Sequence, residues 1–72
     1  MKKIKKIEIK LNGKVKVIPH DYKIQKLLSE LKIPLKKVAI ELNQEILDKK
    51  KLKKIKIQKN DKIEIVHFIG GG

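Results

Sequence analysis

Three glycines, Gly70, Gly71 and Gly72, close the stretch KIEIVHFIGGG, and they are the residues of this chain best suited to chemistry. A run without Cβ atoms fits close to surrounding backbone and adopts extended or positive-φ conformations freely, so it can thread a narrow passage in another protein and deliver the backbone carboxylate of Gly72 there. An extended residue spans at most about 3.3–3.6 Å, so three glycines reach roughly 10 Å beyond the preceding strand. Ordering such a tail loses about 1–2 kcal/mol of backbone entropy per residue, so a folded body must supply the docking energy. The other candidates offer less. His20 and His67 lie far apart in the sequence, with no cysteine or carboxylate at a metal-ligand spacing, and each reads as an ordinary turn or packing histidine. Ser29 falls on the polar side of a predicted helix, where it faces solvent rather than serving as a nucleophile. There is no glycine-rich phosphate loop, so the chain is expected to bind no cofactor and no ATP unaided.

Composition bounds the body that carries the tail. Seventy-two residues suffice for one small core, too little to enclose an active site, which points away from an enzyme. Without cysteine, neither disulfides nor cysteine-bound zinc can staple the fold, and it must rest on apolar packing. No run is apolar enough for a signal peptide or a membrane span, so we expect a cytoplasmic protein with no membrane partner. Twenty basic residues against 8 acidic ones give a formal net charge of +12. That balance suggests a nucleic-acid partner, but every basic residue is lysine, and Tyr22 and Phe68 are the whole aromatic complement. Recognition of bases and phosphates favours the arginine fork and stacking platforms, so the missing chemistry argues against nucleic acid.

The periodicity orders the elements that must position the tail. In IKKIEIKL, Ile7, Ile9 and Leu11 alternate with Lys6, Glu8 and Lys10, the pattern of a strand with one wet face. Asn12–Gly13 predicts a tight hairpin, followed by a returning strand KVKVI with Val15 and Val17 inward and Pro19 ending the pairing. Ile24, Leu27, Leu28 and Leu31 then fall at helical spacing for about three turns, with Asp21 as N-cap and Pro34 at the exit. VAIELN returns to strand spacing, with Val38, Ile40 and Leu42 on one side and Ala39 and Glu41 on the other. A turn at NQE leads to a short strand at Ile46 and Leu47. The lysine-rich segment 49–59 reads as a solvated connection around one anchor, Leu52, in preference to a basic binding tract. Asn60–Asp61 makes the last turn, and the strand from Lys62 to Ile69 puts Ile63 and Ile65 on the core side.

Two hairpin strands, one helix, further strands and a strand at the end of the chain make the order of an α+β protein of the β-grasp, or ubiquitin-like, fold. In it a mixed sheet of four to five strands packs on one main helix, with the first and last strands parallel at the centre. We therefore divide the chain into a β-grasp domain, 1–69, and a flexible glycine tail, 70–72. Within that order, VAIELNQEIL and NDKIEIVHFIGGG resemble the two signature stretches of the ThiS family, and the similarity covers essentially the whole chain. It departs at Gln44, where the family usually has glycine, and in the lysine-rich middle segment. The resemblance implies a sulfur carrier: the Gly72 carboxylate is adenylated with ATP, then converted to a thiocarboxylate that donates sulfur to thiazole formation in thiamine biosynthesis. It implies as partners a ThiF-like adenylating enzyme, a ThiG-like thiazole synthase and a desulfurase system as sulfur donor. MoaD-like carriers for molybdopterin or tRNA thiolation and ubiquitin-like modifiers share the fold and terminal Gly-Gly and remain alternatives, with a basic nucleic-acid-binding β-grasp domain as a third.

Alternation in the last strand also suggests how the body docks. If Ile63 and Ile65 face the core, then Glu64, Val66 and Phe68 face away, on the sheet side that one helix cannot cover. Neighbouring strands would add Glu8, Ala39 and Glu41, giving three carboxylates around a small apolar patch with Phe68 as anchor. The competing reading pairs each glutamate with a cross-strand lysine such as Lys6 or Lys10.

Overall fold

A computed structural model describes residues 5–68 of the chain. Five strands, β1 (Lys6–Leu11), β2 (Lys14–Pro19), β3 (Val38–Leu42), β4 (Glu45–Ile46) and β5 (Lys62–His67), form one mixed sheet in the order β2-β1-β5-β3-β4. β1 and β5 are parallel neighbours at its centre, with Lys10 beside Lys62 and Leu11 beside Ile63, as expected for the β-grasp order. The helix α1 (Ile24–Glu30) packs on one face. Its buried Ile24, Leu27 and Leu28 meet Ile9, Ile40 and Ile63 of the sheet in a single core.

The first hairpin corrects the expected facing of β2. Asn12 (φ 51°) and Gly13 (φ 82°) form the two-residue turn, which forces Leu11 opposite Lys14, Ile9 opposite Lys16 and Ile7 opposite Ile18. Directly opposed residues share a face, so Ile18 is buried while Val15 and Val17 point outward, 60% and 55% exposed. Turn length sets register, and a one-residue slip would move every side chain to the other face, so turn geometry overrides the apolar character of the two valines. Pro19 does not end the pairing either. It sits opposite Lys6, and the next N–H, of His20, donates to the Lys5 carbonyl at 2.9 Å. Pro19 occupies a position whose nitrogen points to the outer edge, where proline removes no ladder bond.

The helix is shorter than its stripe suggests, with seven residues where about three turns are predicted. Asp21 is not its cap: Lys23 holds that position without a side-chain hydrogen bond, and Asp21 takes φ 68° and pairs with the Lys56 ammonium. The hydrogen bond and charge of Lys56 hold the Asp21 carboxyl below its usual range. Any stability from this exposed pair is present above the unfolded carboxylate pKa and lost as pH falls through the lower folded value. The first helical donors are satisfied instead by the lysine-rich segment, with Ile24 N–H donating to the Ile55 carbonyl (2.9 Å) and Gln25 N–H to that of Leu52 (3.2 Å). Leu52 is the buried anchor expected there; Ile57 is a second, equally buried, that the pattern does not single out. At the other end Lys32 (φ 57°) closes the helix, its N–H donating to the Ser29 carbonyl and that of Ile33 to the Leu28 carbonyl, the paired bonds of a Schellman motif.

The β3–β4 turn stores strain that glycine would remove. Asn43 and Gln44 lie at φ 51° and 73°, and a side chain at the second position of such a turn is disfavoured by about 1 kcal/mol. Gln44→Gly is therefore expected to raise the unfolding free energy by about 0.5–1 kcal/mol, after allowance for the freer unfolded chain. A denaturant titration checks this; an unchanged or lower midpoint would show the turn to be unstrained.

Candidate functional site

β5 runs through the middle of the sheet with one face in the core and the other open. Ile63 is buried and Ile65 half-buried, while Glu64, Val66 and Phe68 alternate to the outer side as expected. The β3–β5 register sets Glu41 opposite Glu64 and Ala39 opposite Val66, and β4 brings Ile46 opposite Glu41. Two carboxylates thus sit side by side, next to an apolar strip in which Val66 is 49% and Ile46 74% exposed. Phe68, 50% exposed, continues the pairing by one residue, its N–H donating to the Lys37 carbonyl at 2.9 Å. The Lys49 ammonium lies 5.2 Å from its ring centroid, within cation–π range. Ile46 is the member of this face that alternation within β5 does not reveal. The two-residue turn at Asn43–Gln44 is the signal that locates it, since it fixes Leu42 opposite Glu45.

The expected trio of carboxylates is a pair. Glu8 shares the outer side of the sheet but lies opposite Val17, level with Asn60, whose N–H donates to the Glu8 carbonyl at 2.8 Å. Glu64 is four residues further along β5, about 13 Å away at strand spacing. It lies past the end of β1, level with the Asn12 turn. Glu8 therefore belongs with Val15 and Val17 at the β2–β1 end, apart from Glu41 and Glu64. Among the described residues no lysine ammonium lies within 4.0 Å of the carboxylate oxygens of these three glutamates; the ion pairs present join Asp21 to Lys56 and to His20. Opposed like charges on neighbouring strands are unfavourable, and among the described residues no ion pair offsets Glu41 and Glu64.

The remaining candidates stay separate. His20 stands before the helix with Nδ1 3.5 Å from the Asp21 carboxylate, and His67 lies opposite Val38 at the end of β5. Among the described residues no three histidine, aspartate or glutamate side chains gather as metal ligands. Ser29 is exposed on α1. Gly70, Gly71 and Gly72, with Ile69 before them, lie outside the described residues.

The ThiS family model matches residues 9–72 of the chain. Among curated proteins, the sulfur carrier protein ThiS of Bacillus subtilis is 42% identical over 65 residues, covering 89% of this chain and 98% of that protein. A thiazole synthase of Paramagnetospirillum magneticum is 36% identical over 66 residues, covering 92% of this chain, and one of Magnetococcus marinus is 36% identical over 70 residues. This chain spans 20% of the length of each of those two synthases. The crystal structure of the thiamine biosynthesis protein ThiS from Geobacter metallireducens superposes with a TM-score of 0.81 at 29% identity, covering 92% of this chain and all of that one.

Proposed function

The chain belongs to the ThiS family, and on that footing we propose that it is a sulfur carrier of thiamine biosynthesis and a co-substrate of other enzymes, with Gly72 as its reacting residue. The observation that carries this reading is the likeness to the Bacillus subtilis carrier over nearly the whole of both chains, together with a family match that runs to Gly72.

A carboxylate is a poor electrophile until one of its oxygens becomes a leaving group. In the proposed sequence a Gly72 carboxylate oxygen attacks the α-phosphorus of ATP and pyrophosphate departs. A sulfide-level sulfur then attacks the acyl carbon, and AMP leaves with the oxygen. Sulfur that arrives as a persulfide stays joined to its donor until a thiol cleaves the sulfur–sulfur bond and is itself oxidised to a disulfide. ATP and the sulfur donor are held by a ThiF-like adenylating enzyme and a desulfurase system, in sites that exclude water from the adenylate. The thiocarboxylate passes next to a ThiG-like thiazole synthase. The body 1–69 docks and the tail 70–72 reaches. No helix among the described residues is long and apolar enough to cross a membrane, and we place the carrier in the cytoplasm with these soluble enzymes. Intact mass after incubation with the adenylating enzyme, ATP and a sulfur donor tests the reading. A gain equal to the difference between one sulfur and one oxygen, located in the last peptide, is expected, and its absence overturns the proposal.

Docking uses the outer face of β4-β3-β5. An aromatic that becomes buried at an interface carries a large share of its energy, and Glu41 with Glu64 can steer a partner bearing basic residues. Phe68→Ala is expected to weaken binding to the adenylating enzyme about tenfold or more, or ~1.4 kcal/mol. Glu8→Ala, at the other end of the sheet, is expected to leave binding within about a factor of two, because isolated rim charges contribute little. Titration of the two variants, each checked for folding, decides it; if neither weakens binding, the outer face is not the interface.

A further inference from the structure

The register of β5 sorts its backbone groups to two sides. Those of the even-numbered residues point to β3: Asn43 N–H donates to the Lys62 carbonyl at 2.8 Å and Phe68 N–H to the Lys37 carbonyl at 2.9 Å, with Glu64 and Val66 paired between them. Those of the odd-numbered residues point to β1. Asn12 N–H donates to the Ile63 carbonyl at 2.9 Å, and the Asn12 side-chain oxygen accepts from Ile65 N–H at 2.7 Å. There the hairpin ends, since β1 stops at Leu11 beside Ile63. The next groups on that side, the Ile65 carbonyl and the N–H and carbonyl of His67, meet no partner among the described residues. They form a short open sheet edge, stopped at one end by Asn12 and leading at the other into the last four residues of the chain.

The outer edges of the sheet are guarded and this one is not. β2 carries Lys14, Lys16 and Pro19, and β4 is only two residues long, both common devices against unwanted strand addition. Yet from Ile63 to Gly72 a chain with 20 basic residues places no lysine at all. An unguarded donor and acceptor at strand spacing suits one kind of occupant, an extended backbone.

We propose that the Ile65–His67 edge receives an extended segment of the thiazole synthase as an added strand, which fixes the direction in which the tail enters that enzyme. The inference rests on the sulfur-carrier reading. The synthase is favoured as occupant because two thiazole synthases contain a segment like this chain within their own polypeptide, so carrier and enzyme are held together there. Main-chain pairing supplies affinity without demands on side chains, and the Asn12 stop prevents the added strand from sliding.

His67→Pro removes the exposed N–H and leaves the β3 ladder intact, because that ladder uses Val66 and Phe68; the extended backbone at Val66 also suits the position before a proline. His67→Thr retains the N–H. Titrated against the thiazole synthase of the same organism, the proline variant is expected to bind about tenfold more weakly, a loss typical of a buried hydrogen bond, and the threonine variant within about threefold of the unmodified chain. Amide exchange on the unmodified protein gives a second readout that needs no variant: His67 N–H is expected to exchange at least about tenfold more slowly in the complex. Proline binding as tight as that of the unmodified chain, or exchange at His67 equally fast free and bound, overturns the inference while leaving the carrier reading in place. Failure of the unmodified chain to bind the synthase at all removes that partner from the carrier reading, and the strand addition with it.

Discussion

A chain lacking Gly71 and Gly72 is expected to form no thiocarboxylate above background and to melt at the same temperature as the full-length protein. The truncated chain still ends in a glycine carboxylate, at Gly70, so the intrinsic reactivity of the group is unchanged. Position is what changes. Two extended residues account for about 7 Å, and a displacement of about 1 Å from productive geometry can already cost a hundredfold in rate. Removing only Gly72 shortens the reach by about 3.5 Å and is expected to be nearly as damaging. Gly72→Ala keeps the length but adds a Cβ in a passage shaped for backbone, so a smaller loss is expected. Initial rates of mass gain with the adenylating enzyme in excess rank the three variants. Thiolation of the doubly truncated chain at a rate close to that of the full chain would show that the reach to Gly72 is not needed, and mass mapping of the gain to any peptide other than the last would remove the carboxyl end from the chemistry.

Much of the frame behind that tail is legible locally, because strand and helix periods are properties of short windows. The alternation of Ile7, Ile9 and Leu11, the stripe Ile24–Leu27–Leu28 and the facing of Glu64 and Val66 all appear in the structure as the sequence patterns predict. The misreadings share a cause: they concern registers or partners set at a distance. Apolar character alone sends Val15 and Val17 inward, whereas the two-residue turn sends Lys16 and Ile18 there. The helix start at Ile24 depends on carbonyls of Leu52 and Ile55 supplied from far along the chain, so Asp21 carries a local capping signal that nothing uses. Glu8 and Glu64 look like neighbours until the parallel offset of β1 and β5 is known, and parallel strands have no connecting turn to announce their register. In the candidate site the face was therefore readable and its length was not.

The second large effect concerns the body. Leu28→Ala is expected to lower the unfolding free energy by about 2–5 kcal/mol, the range for a buried leucine whose cavity cannot collapse. Leu28 is fully buried on the single α-helix and packs into the one core the described chain has, beside Ile24 and Ile40. A protein of this length commands only about 4–11 kcal/mol in total at typical values per residue, so the variant is expected to approach its folding midpoint near physiological temperature. Denaturant midpoints measure that loss directly. The functional consequence separates body from tail. The variant keeps Gly70–Gly72 intact, so if the glycines alone sufficed, thiolation would proceed at full rate on the unfolded chain. We expect it to fall in step with the folded fraction, because ordering the tail is unfavourable and the outer face around Phe68 must offset that entropy. Full activity on a chain shown to be unfolded would mean that the sheet contributes nothing to recognition.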